Sequence, residues 1–151
     1  MWEKCLCPVG RRTPGRKRDC QMNIKNHVKY WIDSADHDLD AAESLFSSSK
    51  YDWSLFLAHL VLEKLLKALY VQDNENALPP RTHNLVKLAE KTKIKLTCDQ
   101  ITFLDEVNDF NLEVRYPEFK QAFYLKCTKE FAANYFFQIK DMAIWFKSQI
   151  R

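Results

Sequence analysis

The stretch DWSLFLAHLVLEKLLKALYV, residues 52–71, decides the fold. Wound as a helix, it is surrounded by Trp53, Leu55, Phe56, Leu57, Leu60, Val61, Leu62, Leu65, Leu66, Ala68 and Leu69. Only a narrow stripe of Asp52, His59, Glu63 and Lys67 is polar. A helix apolar nearly all round must be buried on several sides. The stretch therefore reads as the central helix of an all-α domain, with Asp52 as its N-cap. Its surplus apolar surface is expected to face a partner chain as well.

The flanking segments supply the helices that cover it. Upstream, Asn26 to Phe46 places Val28, Trp31, Ile32, Ala35, Leu39, Ala42, Leu45 and Phe46 on one face. The run Ser47-Ser48-Ser49 ends this helix. Downstream, Pro79-Pro80 makes Asp73 to Thr82 a loop, since proline neither donates a helical bond nor lets its predecessor turn. A short helix follows over Asn84–Lys91. The run Thr97-Cys98-Asp99-Gln100 is a capping box that opens a fourth, which ends before Pro117. The last helix spans Thr128–Ile150. Phe131, Tyr135, Ile139, Met142 and Phe146 make one stripe on it, and Ala133, Phe137 and Ile144 a second. No strand pattern or internal repeat is visible. The expected architecture is an up-and-down bundle of four to five helices over residues 22–151. A homodimer is expected through the central and last helices, because a monomer rarely exposes contiguous apolar patches.

Residues 1–21 have a different texture. They hold Gly10 and Gly15, Pro8, Pro14 and a basic cluster, with no periodicity. They read as a disordered basic leader or a mis-called start ahead of Met22, the latter being favoured. The leader carries +4 of the chain's net +3, which leaves −1 for the folded part. Bulk charge thus gives no reason for non-specific nucleic-acid binding. From Met22 onward there is no glycine at all, which excludes Gly-rich phosphate loops. The five cysteines (Cys5, Cys7, Cys20, Cys98, Cys127) are odd in number and irregular in spacing. They resemble neither a disulfide framework nor a zinc site. No apolar run reaches membrane-spanning length, and the leader lacks the apolar core of a signal peptide. A cytoplasmic protein is the simplest expectation.

Four groups of residues are candidates for chemistry. Asp33, Asp36, Asp40 and Glu43, with His37, could suggest a metal site, but acids opposite an apolar face read as a solvated helix surface. No metal is expected. Glu63 and Lys67 are four apart and suit a surface ion pair. Alternatively, with His59, they line a cleft between helices. Arg81-Thr82-His83-Asn84 leads into a helix start, where Thr82 or Asn84 can cap and Arg81 or His83 can meet a phosphate. Arg115-Tyr116-Pro117 lies between helices. Its guanidinium either binds phosphate bidentately or fixes the turn.

Together these pieces resemble a HEPN domain from about Trp31 to the last helix. They are the first helix from Ala35 to Leu39, the central Leu62-Glu63-Lys64-Leu65-Leu66-Lys67-Ala68-Leu69-Tyr70, Thr82-His83-Asn84-Leu85, and Phe110-Asn111-Leu112-Glu113-Val114-Arg115-Tyr116-Pro117. The resemblance implies an up-and-down bundle that usually dimerises. Many such prokaryotic proteins are encoded beside a small MNT-type nucleotidyltransferase, often as toxin–antitoxin or stress-response pairs, and nucleotide binding has been proposed for them. Several branches are metal-independent ribonucleases, with an Arg followed after four to six residues by a His at the dimer cleft.

Arg115 matches the motif's Arg, but Lys120, Gln121 and Ala122 occupy the positions open to its His. The Arg-Tyr-Pro of Arg115, Tyr116 and Pro117 fits a variant seen in minimal members. The leading expectation is therefore a non-catalytic, dimeric HEPN-type protein that works with a nucleotidyltransferase and binds nucleotide or RNA phosphate. Its ligand-binding residues would be Arg115, Tyr116, Lys67, His83 and Glu63, with no cofactor. The alternatives are an RNA endonuclease using Arg115 and a purely structural adaptor.

Overall fold

The computed structural model describes residues 23–151. The expectation for residues 1–21 lies outside them. The described residues form six helices: α1 (Asn23–Ser47), α2 (Tyr51–Asp73), α3 (Leu85–Ala89), α4 (Cys98–Glu113), α5 (Pro117–Lys126) and α6 (Lys129–Gln149). The all-α class is as expected. The sixth helix is not.

The α1–α2 connection is tight and is made without glycine. Ser49 takes the left-handed conformation, with φ 59°. Lys50 N–H then donates to the Leu45 carbonyl at 2.8 Å and Ser49 N–H to that of Phe46 at 3.0 Å. This is a Schellman closure with serine where glycine is usual. Because the turn closes at Lys50, α2 starts at Tyr51 and Lys50 takes the N-cap position. Asp52 is therefore not the cap. It lies buried in the first turn, where a carboxylate favours the positive end of the helix.

As expected, α2 is the central element. Leu55, Leu62, Leu65, Leu66 and Leu69 are fully buried. They pack among Ala35 and Ala42 of α1, Ile139 and Phe146 of α6, and Leu85, Leu88, Leu104 and Val107 of α3 and α4. Most of the apolar surface of α2 is buried within the chain. Of its large apolar side chains, only Trp53 is exposed, while Phe56, Leu57 and Leu60 are half-buried. Little apolar surface is left on α2 for a partner.

Helix starts follow their capping residues. Asn84 caps α3 by accepting from Lys87 N–H, Thr97 and Gln100 form the capping box of α4, and Thr128 caps α6. The additional helix, α5, has Pro117 in its first turn, with Glu118 beside it and Lys126 in the last turn. It buries only Phe123, so no apolar stripe marks it in the sequence.

On α6, Ile139, Met142 and Phe146 face the core, while Phe137 and Ile144 stand 68% and 66% exposed. The acidic stripe of α1 is solvated, with Asp33, Asp36 and Asp40 exposed. Two of its acids also reach α6: Glu43 pairs with Lys140 at 2.5 Å and Asp36 with Lys147. Among the described residues, no helix is long and apolar enough to cross a membrane.

Candidate functional site

The polar stripe of α2 is buried rather than solvated. His59 and Glu63 are almost without solvent contact. Burying a carboxylate costs several kcal/mol unless it is paired, and Glu63 is paired twice. Its Oε1 accepts from Lys67 Nζ at 2.6 Å and its Oε2 from His83 Nδ1 at 3.0 Å. Lys67 also sits 5.2 Å from the centre of the Trp31 ring. Its ammonium is thus engaged on both sides.

His83 lies on the α2–α3 connection, and its ring is 57% exposed. With Nδ1 committed to Glu63, Nε2 is left for other partners. The His83 carbonyl accepts from His59 Nε2 at 3.0 Å. The other His59 nitrogen, Nδ1, accepts from Asn111 Nδ2 at 3.4 Å. Asn111 is buried near the end of α4. Its backbone carbonyl accepts from Arg115 Nε at 2.9 Å, and its Oδ1 accepts from Arg115 Nη2. Burial lowers the His59 pKa to about 4, against the opposing pull of Glu63 and the His83 carbonyl, and with added repulsion from His83 and Arg115. His59 is therefore neutral near pH 7.

Between the α2–α3 connection and α4 lies a cleft of about 170 Å³, lined by His83, Asn84, Asn108, Asn111, Leu112 and Arg115. Two of its amides are anchored by their oxygens. Asn84 Oδ1 accepts from Lys87 N–H at 2.9 Å and Asn108 Oδ1 from Leu85 N–H at 2.8 Å. With its oxygen taken, Asn84 keeps its NH₂ as a donor, whereas the NH₂ of Asn108 already donates to Asp105 Oδ1 at 3.5 Å. A guanidinium, an imidazole and amide donors in one cleft suit an oxyanion.

The five residues singled out in the sequence divide as follows. Glu63, Lys67 and His83 form one bonded cluster, and His83 shares a cleft with Arg115. Lys67 does not line that cleft, and its role is to neutralise Glu63. Tyr116 occupies the N-cap position of α5, is exposed, and is likewise not among the lining residues. Position 120, open to the motif's His, is directed elsewhere. Lys120 Nζ stands 5.2 Å from the Trp53 ring centre and borders a separate hollow with Asp52, Pro117, Gln121 and Tyr124. Sequence reasoning missed Asn111, Asn84 and Asn108 as site residues and did not connect His59 to Arg115. One signal was available: Asn111 stands four residues before Arg115, one helical turn away.

Comparisons with known proteins agree with this architecture. The family model described as HEPN domain matches residues 28–146. Among solved structures, the chain is similar to TT1696 from Thermus thermophilus, with a TM-score of 0.70 and 18% identity over 82% of this chain and 98% of that one. A likeness at that identity is one of fold. No curated protein matches the sequence.

Proposed function

This chain belongs to the HEPN domain family, and we propose that it is a non-catalytic, dimeric member that binds the phosphate of a nucleotide or RNA. One observation carries the reading. Arg115 is held by Asn111 through Nε and Nη2, and it lines the cleft together with His83. An arginine spent only on its own turn would have no need of a cleft shared with an imidazole and the free NH₂ of Asn84.

The non-catalytic part follows from what stands at the motif's second position. Lys120 is paired with Trp53 rather than with Arg115, and neither Gln121 nor Ala122 can transfer a proton near neutrality. The dimeric part is supported by Leu112, Tyr116, Phe119, Tyr124 and Leu125, all exposed on α4, α5 and the turn between them, near Arg115 in sequence. We place the interface on this segment rather than on α2. Action alongside a minimal nucleotidyltransferase, in a toxin–antitoxin or stress-response pair, and cytoplasmic residence rest on the family resemblance and on the free thiols of Cys98 and Cys127. The test is calorimetric titration with ATP. Saturable binding that Arg115→Ala weakens at least tenfold is expected. Equal affinity in the variant removes Arg115 from the site.

A second reading, metal-independent RNA cleavage, is favoured by one feature. Glu63 orients His83 in the cleft of Arg115, an arrangement that suits a general base. Cleavage of RNA in EDTA that both His83→Ala and Arg115→Ala abolish would replace the binding reading with this one.

A further inference from the structure

We propose that His59 and Asn111 are positioning residues for the anion cleft, forming a one-way hydrogen-bond chain that aims one free edge of Arg115 at two oxygens of a phosphate. The inference rests on the phosphate-binding reading and deepens it.

The direction of the chain is forced at both ends. At one end the His83 carbonyl can only accept, so His59 Nε2 carries the proton. A neutral imidazole protonated there has an acceptor at Nδ1. Asn111 must then turn its NH₂ toward His59, which places its oxygen toward Arg115. At the other end guanidinium can only donate, and it meets that oxygen. No member can reverse without leaving a buried group unpaired. Glu63 does not compete for His59, because its Oε2 is 4.0 Å from Nδ1 and is taken by His83.

The consequence concerns the ligand. The Nε side of Arg115 is closed, since Nε and Nη2 both donate to Asn111. The edge between Nη1 and Nη2 stays open, with parallel donors spaced for two oxygens of one phosphate or carboxylate. With Asn111 and His59 both buried and bonded, the edge is fixed before any ligand arrives, so binding loses less side-chain entropy. The phosphate can belong to an RNA backbone or to a free nucleotide, and the two probes below separate these sources.

The experiment measures dissociation constants for ATP and for a short single-stranded RNA, together with side-chain NMR of Arg115. In the unliganded protein, separate Nη1 and Nη2 signals are expected, as rotation about the Nε–Cζ bond is restrained, and they should merge in Asn111→Ala. Asn111→Ala and His59→Leu should each weaken the better probe about tenfold, the equivalent of one charge-assisted hydrogen bond. His59→Asn offers an amide oxygen in place of Nδ1 and should stay within about threefold of the unmodified protein, a little under half of the free energy of the tenfold loss. Wild-type affinity in both Asn111→Ala and His59→Leu, with loss in Arg115→Ala, would overturn the positioning role and leave the phosphate site standing. Unchanged affinity in Arg115→Ala would remove the site itself. Should His59→Leu fail to fold, merged Nη signals in the unmodified protein would overturn the proposal on their own.

Discussion

Asn111 Nδ2 reaches His59 Nδ1 at 3.4 Å across the α2–α4 contact, where both residues are buried. Through Asn111 it joins the central helix to Arg115. It also requires His59 to stay neutral, and the pH dependence of stability follows from that.

The sign of that dependence is fixed by His59. Its folded pKa, about 4, lies below the ordinary value of 6.5. Between those values the unfolded chain binds the proton and the folded one does not, so stability rises with pH. The contribution is present above pH 6.5 and is lost as pH falls through about 4. The loss is on the order of 3 kcal/mol. Urea unfolding at pH 7, 6 and 5 should show a falling midpoint, with a shallower fall in His59→Asn. Parallel slopes in the two proteins would contradict a buried neutral His59.

The glycine-free α1–α2 turn predicts a stabilising substitution. Ser49 holds φ 59° in a position where glycine has no Cβ penalty. Ser49→Gly should add about 0.5–1 kcal/mol, after allowing for the extra freedom of glycine in the unfolded chain. A rise of the thermal midpoint by a few degrees is the expected reading. Ser49→Val should lower it.

The two described cysteines should differ in reactivity. Cys127 is buried, and that burial, reinforced by Asp52 and Glu113, pushes its pKa up to about 12. Cys98 is exposed. The thiolate is the reacting species. Iodoacetamide at pH 8 followed by peptide mass mapping should find Cys98 modified and Cys127 intact in the folded protein. Rapid labelling of Cys127 would show that α5 opens readily.

The apolar side chains on the α4–α5 side predict an oligomer. Light scattering at micromolar concentration should give twice the chain mass. Phe119 and Leu125 are 53% and 67% exposed, so Phe119→Asp with Leu125→Asp should yield a folded monomer. A dimer that survives the double change would place the interface elsewhere, with the exposed Phe137 and Ile144 of α6 next to be tested.

Much of this was readable from residue order. The central helix, the proline-marked loop and the caps at Asn84, Thr97 and Thr128 all follow from local rules, because period and capping act within a turn or two. α5 did not announce itself, since a helix that buries one side chain leaves no stripe. Its signals, Pro117 ahead of Glu118 and Lys126 at the end, are the same ones used elsewhere. The burial of the His59–Glu63–Lys67 stripe was left open between a surface ion pair and a cleft, for another reason. An i, i+4 ion pair looks the same on a surface as in a core, and only α3 and α4 folding over it decide which. The contact between Asn111 and His59 spans 52 positions and is purely tertiary.

In the proposed reading, the cleft of Arg115 holds an RNA phosphate and leaves the RNA uncut. The direct measurement incubates purified protein with an end-labelled single-stranded RNA in EDTA and reads bound fraction and RNA length from the same samples. Retained, full-length RNA in the unmodified protein and free, full-length RNA in Arg115→Ala are predicted. RNA shortened by the unmodified protein and left whole by Arg115→Ala would contradict the account.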